Sequence, residues 1–291
     1  MSATFLSSEF FHNYKRNASA IAGSIILIIF AVIVVAGPLF VAQDPYDVGQ
    51  LNLLDSYKPP VWLEGGDPRF LLGTDGQGRG VLAGILYGTR VSVMIGVTAM
   101  LMSCIIGTTA GLLAGFYGGR LDAAIMRIAD IQLSFPSMLI ALFLMSAFGT
   151  GIDKVLIALT AVGWVVYART VRGSTLSEVQ KEYVQAARVA GLRDAKIIRR
   201  HVLPNVMTPL IVVATVQVGT FILIEASLSF LGVGVPITQP SLGLLIKNGF
   251  DVLFSGLWWT SVFPGLFIMA LVFGINLFGD FLRDELNPRL K

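Results

Sequence analysis

EYVQAARVAGLRDAKIIRRHVLPN, residues 182–205, is the most charged and most helix-prone stretch of a chain that is otherwise oily. Within it Tyr183, Ala186, Ala187 and Ala190 fall at i, i+3, i+4 and i+7, one face of a helix. Three of the four are alanine, and small side chains let another surface approach closely. Gly191 follows where a helix would end on a left-handed residue. A second helical piece, LRDAKIIRRHVL, comes next. Pro204 is then placed to open a further helix, where its missing N–H costs little. Arg188, Arg193, Lys196, Arg199 and Arg200 surround the alanine face. A basic helix lying on anionic head groups is the alternative, but it should show a broad apolar face with Leu, Phe or Trp. Alanines fit a protein partner better.

The rest of the chain says where this segment sits. Hydrophobic residues make up 55% of the sequence, the mean hydropathy is +0.76, and 13% of residues are charged, against about 25% in ordinary soluble domains. Such a chain needs lipid as a solvent. Charge-free windows cover residues 17–43, 91–119, 131–152, 202–224 and 252–279, each long enough to cross a bilayer. A shorter window, 155–168, is flanked by Lys154 and Arg169, whose side chains can snorkel. The prediction is an all-α, polytopic protein with six membrane helices near Ala20–Val41, Val91–Tyr117, Ile125–Phe148, Val155–Val171, Val206–Leu231 and Trp258–Phe281. The first is too long for a signal-peptide core and no small-residue cleavage pattern follows it.

Of the 21 Lys and Arg residues, an N-in, C-in arrangement puts fifteen on the cytoplasmic side, Arg289 and Lys291 among them, and six outside. The bias favours that orientation and makes 182–205 cytoplasmic. The expected layout is a cytoplasmic segment 1–19, a first span 20–41, an outer loop 42–90, a core of five spans over 91–281 that includes the 182–205 loop, and a cytoplasmic tail 282–291. The outer loop contains LGTDGQGRG, but no Lys-Ser/Thr follows these glycines, so a turn-rich lid or docking loop is expected there rather than a phosphate cradle. Cys104, the one cysteine, sits in an apolar run and reads as packing. His12 and His201 form no metal-binding spacing with it. A net charge of +3 with clustered cations does not point to nucleic acid. A membrane enzyme lacks its constellation here, since H-E-x-x-H is absent. A secondary transporter or channel of six helices stays open as an alternative, although neither internal repeats nor paired intramembrane charges are visible.

The spacing Ala186-Ala187-x-x-x-Gly191, followed by Leu203-Pro204, resembles the cytoplasmic "EAA" loop of binding-protein-dependent ABC importer permeases. Gln185 stands where that family usually has Glu, and His201 where it usually has Ile. NYKRNASAIAG, DPYD, LGTDGQGRG with LYGTRVSV, GFYGGRLDAAIMRIAD, SFPS, EASLSFLGVG and GDFLRDELNPRL resemble the C-type permease subunit of the dipeptide, oligopeptide and nickel branch, with Gly80 in place of a usual Asp. The resemblance implies a MetI-like permease fold and localisation in the bacterial inner membrane. It implies a second homologous permease that completes the pore, two ATP-binding subunits, and an external or periplasmic substrate-binding protein. It implies no cofactor on this chain, ATP and Mg being held by the partner ATPase subunits; the sequence contains no G-x-x-x-x-G-K-[ST]. Tyr183, Ala186, Ala187, Ala190, Gly191, His201, Leu203 and Pro204 would then make the ATPase-coupling surface.

Several membrane residues carry further expectations. Gly107, Gly111 and Gly115, four apart, should pack one helix closely on another. Pro136 in SFPS should bend the third span, with or without lining a pore. Asp130, near Arg127, reads as an interfacial ion pair or a pore residue. Glu225 lies inside a long apolar run, where ionisable groups usually face a bundle interior or a water-filled cavity. The pore, a permease–permease interface and a structural hydrogen bond remain open for it.

Overall fold

The computed structural model describes residues 8–41 and 43–286. Arg289, Lys291 and the rest of 287–291, like the first seven residues, lie outside the described residues. Eleven α-helices are described, with no strand beyond one isolated bridge between Thr74 and Gly80. Five helical stretches are long and apolar enough to cross a membrane: Ala18–Phe40, Val81–Tyr117, Ile152–Val179, Asp194–Phe230 and Trp259–Leu286. The pair Gly119–Leu133 and Ser137–Phe148, bent by 88° at its break, brings the number to six when it is taken as one span.

The first helix, α1 (Ser8–Arg16), is short and amphipathic; α2 (Ala18–Ala36) starts on Asn17, whose Oδ1 accepts the Ala20 N–H at 2.9 Å. Phe10 and Tyr14 stack edge-on against Phe281, and Asn13 donates to Glu285 at 3.0 Å. The segment 1–19 is therefore largely helical over its described part and fastened to the end of the last helix.

The second span, α3 (Val81–Tyr117), begins at Val81 and not at Val91. At 1.5 Å per residue its 37 residues reach about 55 Å, well beyond a hydrocarbon core of about 30 Å. The charge at Arg90 ended the apolar window but not the helix, so the outer loop is shorter than expected. What remains of that loop folds on itself. Lys58 Nζ lies 2.5 Å from Asp55 and 2.8 Å from Asp67, while Arg69 Nη2 lies 2.9 Å and 2.7 Å from the same two carboxylates. Hydrogen bonds from Arg69 and then Lys58 hold the Asp67 carboxyl well below its usual range. In LGTDGQGRG, Asp75 Oδ1 accepts the N–H groups of Gln77 at 2.8 Å and Arg79 at 3.0 Å. The turn thus spends these donors on its own carboxylate.

After α3 come α4 (Gly119–Leu133), α5 (Ser137–Phe148) and α6 (Ile152–Val179). Pro136 does more than bend the third span. The ladder stops at Ser134 and α5 starts afresh after Pro136, whose ring cannot continue it. Short α7 (Glu182–Val189) follows α6, then α8 (Asp194–Ile197), a π turn over Ile198–Val202, and α9 (Leu203–Phe230). Pro204 stands in the first turn of α9, as the sequence suggested, but α9 is not a separate rod. The rod runs unbroken from Asp194, and the Leu203 N–H reaches back five residues to Ile198. The wider π turn makes room just where a proline ring would strike the preceding turn. The chain closes with α10 (Leu242–Phe250), which folds back on α9, and α11 (Trp259–Leu286). Gly243 presses so closely on α9 that a methyl there would lie 2.5 Å from Ala226 Cα.

Four packing centres hold these rods, one of them made by Phe30, Ile222, Leu271 and Ile275 between α2, α9 and α11. Ile95, Met145, Leu159, Phe221 and Leu228 form a second between α3, α5, α6 and α9. Val81, Ile85, Leu242, Trp259 and Ile268 form a third beside the loop that precedes α3. Leu112, Phe116, Tyr167, Val171, Val184, Ala187, Ile197 and Val206 form the fourth, at the end where α7 lies.

Candidate coupling surface and membrane-embedded residues

The α7 helix is set down on the bundle by one edge. Val184 and Ala187 are buried, and Leu192 and Ile197 join the same cluster. Its end is a Schellman motif: Gly191 has φ +74°, its N–H bonds the Arg188 carbonyl at 2.9 Å, and the Leu192 N–H bonds the Ala187 carbonyl at 3.1 Å. Tyr183, Ala186, Val189, Ala190 and Gly191 are exposed, Val189 by 90%. Ala187 therefore leaves the expected open face and serves packing inside the chain. Sequence spacing gave it to the outer stripe because positions i+3 and i+4 flank the same arc of a helix; the neighbouring Val184 decides which way that arc turns.

Both departures from the usual loop sequence acquire a structural meaning. Gln185 Nε2 donates to the Val179 carbonyl at 2.8 Å, a bond to the end of α6 that an ionised glutamate could not donate. The His201 ring lies 6.2 Å from the Tyr183 ring, and Asn205 Nδ2 donates both to Tyr183 Oη at 3.0 Å and to the His201 carbonyl at 2.7 Å. Tyr183 and His201 thus link α7 to the π turn. Leu203 and Pro204 are half-buried in the rod behind it. Arg188 lies over the Phe116 ring, 4.9 Å from its centroid, so this cation is in contact with α3.

Of the membrane residues, the three glycines sit where close approach is needed. A methyl on Gly107 would come within 2.3 Å of the Trp164 carbonyl oxygen, on Gly111 within 2.5 Å of the Ala168 oxygen, and on Gly115 within 2.7 Å of Thr175 Cβ. Asp130 is exposed and pairs with Arg169 of α6, not with Arg127. Pro136 stands at the exposed elbow between α4 and α5.

Glu225 is fully buried inside this chain and reaches neither an open pore wall nor an exposed subunit face. Oε2 accepts from Ser92 at 3.0 Å, and Oε1 from Ser229 at 2.7 Å. Ser92 Oγ in turn accepts the Leu242 N–H at 3.3 Å, and Ser229 Oγ accepts the Val235 N–H at 3.3 Å. One carboxyl thereby ties α3, α9 and the start of α10. Glu225→Ala is expected to cost about 2–3 kcal/mol, because it strands buried hydroxyls, and Glu225→Gln about 1 kcal/mol. Thermal unfolding of the purified subunit in detergent measures both; equal effects would contradict the network.

Sequence reasoning missed a set of contacts between α4 and α6. Asp122 and Arg172 form a two-bond pair, Nε–Oδ1 2.5 Å and Nη2–Oδ2 2.7 Å. Gln132 donates to the Val162 carbonyl and accepts from Trp164 Nε1, both at 2.9 Å. Opposite charges on two consecutive helical segments were the available signal.

Residues 107–291 match the family described as binding-protein-dependent transport system inner membrane component, and residues 6–60 match the N-terminal TM domain of oligopeptide transport permease C. The dipeptide transport system permease protein DppC of Haemophilus influenzae is 38% identical over 97% of this chain and 95% of its own. The di/tripeptide transport system permease protein of Pseudomonas aeruginosa is 38% identical, over 97% and 92%. The oligopeptide transport system permease protein of Bacillus subtilis is 37% identical, over 96% and 88%. In three dimensions the chain resembles an inward-facing structure of the MetNI methionine ABC transporter, with TM-score 0.56 and 19% identity, over 69% of this chain and 96% of that one. That likeness concerns the fold. The chain belongs to the family of binding-protein-dependent transport system inner membrane components. It is accordingly a multi-pass permease subunit of an ABC importer in the bacterial inner membrane, a transport component and not an enzyme.

Proposed function

We propose that this chain forms half of the translocation pore of an ATP-driven importer of peptides and docks an ATPase subunit through the open edge of α7. The observation that carries the docking role is the division of that helix. Val184 and Ala187 anchor it, while Tyr183, Ala186, Val189 and Ala190 leave a low, uncharged surface open to a partner. Side chains as small as these alanines let a partner surface approach the helix closely. The peptide substrate is supported by relatives named for dipeptide, di/tripeptide and oligopeptide transport. In this reading both termini are cytoplasmic. A second homologous permease completes the pore, two ATP-binding subunits hold ATP and Mg, and a substrate-binding protein delivers the peptide to the outer face. No cofactor resides on this chain.

Reconstitution tests it. The chain co-expressed with its adjacent permease, ATPases and binding protein should take up labelled dipeptide in vesicles with ATP inside, and the lone chain should neither transport nor hydrolyse ATP. In a Cys104→Ser background, cysteines at the exposed Leu54 and Glu64 should react with an impermeant thiol reagent from outside. Uptake that survives ATP depletion, or labelling only from the cytoplasmic side, would overturn the proposal.

A further inference from the structure

The broken pair α4–α5 is held to the rest of the chain in an unusual way. Ala129 is the one buried residue of α4, while Ile128, Ile131, Leu133 and, at the elbow, Phe135 are exposed. Apolar burial therefore contributes little to where α4 sits. Beyond its junction with α3 at Gly118, α4 is held within this chain by polar contacts to α6: the two-bond Asp122–Arg172 pair, the Asp130–Arg169 pair, and the Gln132 bridge to Val162 and Trp164. Arg169 and Arg172 are three residues apart, on neighbouring positions of one face of α6. The α6 helix ends at Val179, and only Gln180 and Lys181 separate it from α7. Gln185 closes that joint by bonding the Val179 carbonyl. A displacement applied to α7 thus acts on α6 through a short, bonded joint, and α6 holds α4 by charge and hydrogen bond.

We propose that the Asp122–Arg172 and Asp130–Arg169 pairs are the linkage through which movement of α7 carries α4 and the Ser134–Pro136 elbow, so that these four are positioning residues for coupling ATP hydrolysis to passage of substrate. This rests on α7 being the ATPase-docking element. Polar tethers suit a part that must be carried without being welded in place. Two charged contacts fix direction and register, while the thin apolar contact leaves α4 free to separate from neighbouring elements.

The experiment uses the complete transporter in vesicles and reads uptake per ATP hydrolysed, with subunit co-purification as the assembly control. Asp122→Arg and Arg172→Asp, singly, are expected to lower that ratio about tenfold while ATPase activity persists, and the double reversal to recover most of it. Asp122→Asn and Asp130→Asn remove the charge at nearly constant volume; together they should lower the ratio in the same direction should a reversal fail to assemble. A purely structural role would lower assembly and leave the ratio of the assembled fraction unchanged. Wild-type ratios in the assembled reversals or in the double Asn variant, or no recovery in the double reversal, would overturn the linkage. Gly191→Leu run alongside separates the two readings. If it uncouples and the tether variants do not, the linkage is wrong; if it too couples normally, the docking role of α7 is wrong.

Discussion

Gly191→Leu is expected to give a transporter that assembles and reaches the membrane but takes up little or no substrate. Gly191 has φ +74°, and a Cβ added there would meet nothing of this chain within 4 Å. The intramolecular cost is therefore backbone strain alone, about 1 kcal/mol, small beside the burial that holds the membrane helices together. The added leucine would stand at the end of the α7 edge proposed to meet the ATPase, where Ala186 and Ala190 are also exposed. Gly191→Asn, which tolerates a left-handed conformation and is smaller, should be milder. Arg199→Ala, on the basic flank, should do less still, since exposed ion pairs are worth about 0–1 kcal/mol. Uptake and binding-protein-stimulated ATPase in vesicles, normalised to co-purified complex, measure the effect. Wild-type uptake from a fully assembled Gly191→Leu complex would return residues 182–205 to a lipid-facing role.

Gly107→Leu is expected to remove the folded subunit altogether. The α3 and α6 helices run so close that even a methyl on Gly107 would stand 2.3 Å from the Trp164 carbonyl oxygen and 2.5 Å from Tyr167 Cβ. Backbone cannot step aside as a flexible side chain can. Overpacking of a single methylene already costs about 1–3 kcal/mol, and leucine brings several groups at once. Alanine at Gly107 or Gly111 should give a folded but less stable subunit. Gly173, on α6 but with nothing within 4 Å of an added methyl, supplies the contrast. Gly173→Ala should hold or raise stability, by up to about 1 kcal/mol, through helix propensity. The midpoint of thermal unfolding in detergent ranks the series, and a Gly107→Leu subunit as stable as the wild type would contradict the close contact.

These contrasts show what the sequence could and could not disclose. A charge-free window reports where lipid is, so the five long apolar helices were legible; it does not report where a helix ends, so Val81–Arg90 was assigned to a loop. Pro136 announced a bend, but its extent depends on α5 finding its own packing on α6 and α9, which is tertiary information. The π turn at Ile198–Val202 has no composition of its own and follows from fitting Pro204 into a continuous rod. Gly107, Gly111 and Gly115 were legible because a four-residue recurrence of glycine has few other uses in an apolar helix. Glu225 was legible as unusual, with a structural hydrogen bond one of three open readings; the sequence could not choose among them because one serine partner, Ser92, lies far away in the chain, the other being Ser229. In the coupling segment the left-handed Gly191 followed from local chemistry, whereas the inward turn of Ala187 required knowing that Val184 would be buried beside it.

The division of α7 into an anchored edge and an open edge bears on how lineages of such chains can diverge. Substitutions at Ala186, Val189 or Ala190 alter what the helix presents while touching little of the subunit's own core, so selection can retune pairing there one residue at a time. Val184, Ala187 and Ile197 have no such freedom, because any drift there is felt first as lost folding. A duplicated operon could thereby acquire private pairings that no longer cross-react, with the permease body inherited almost intact.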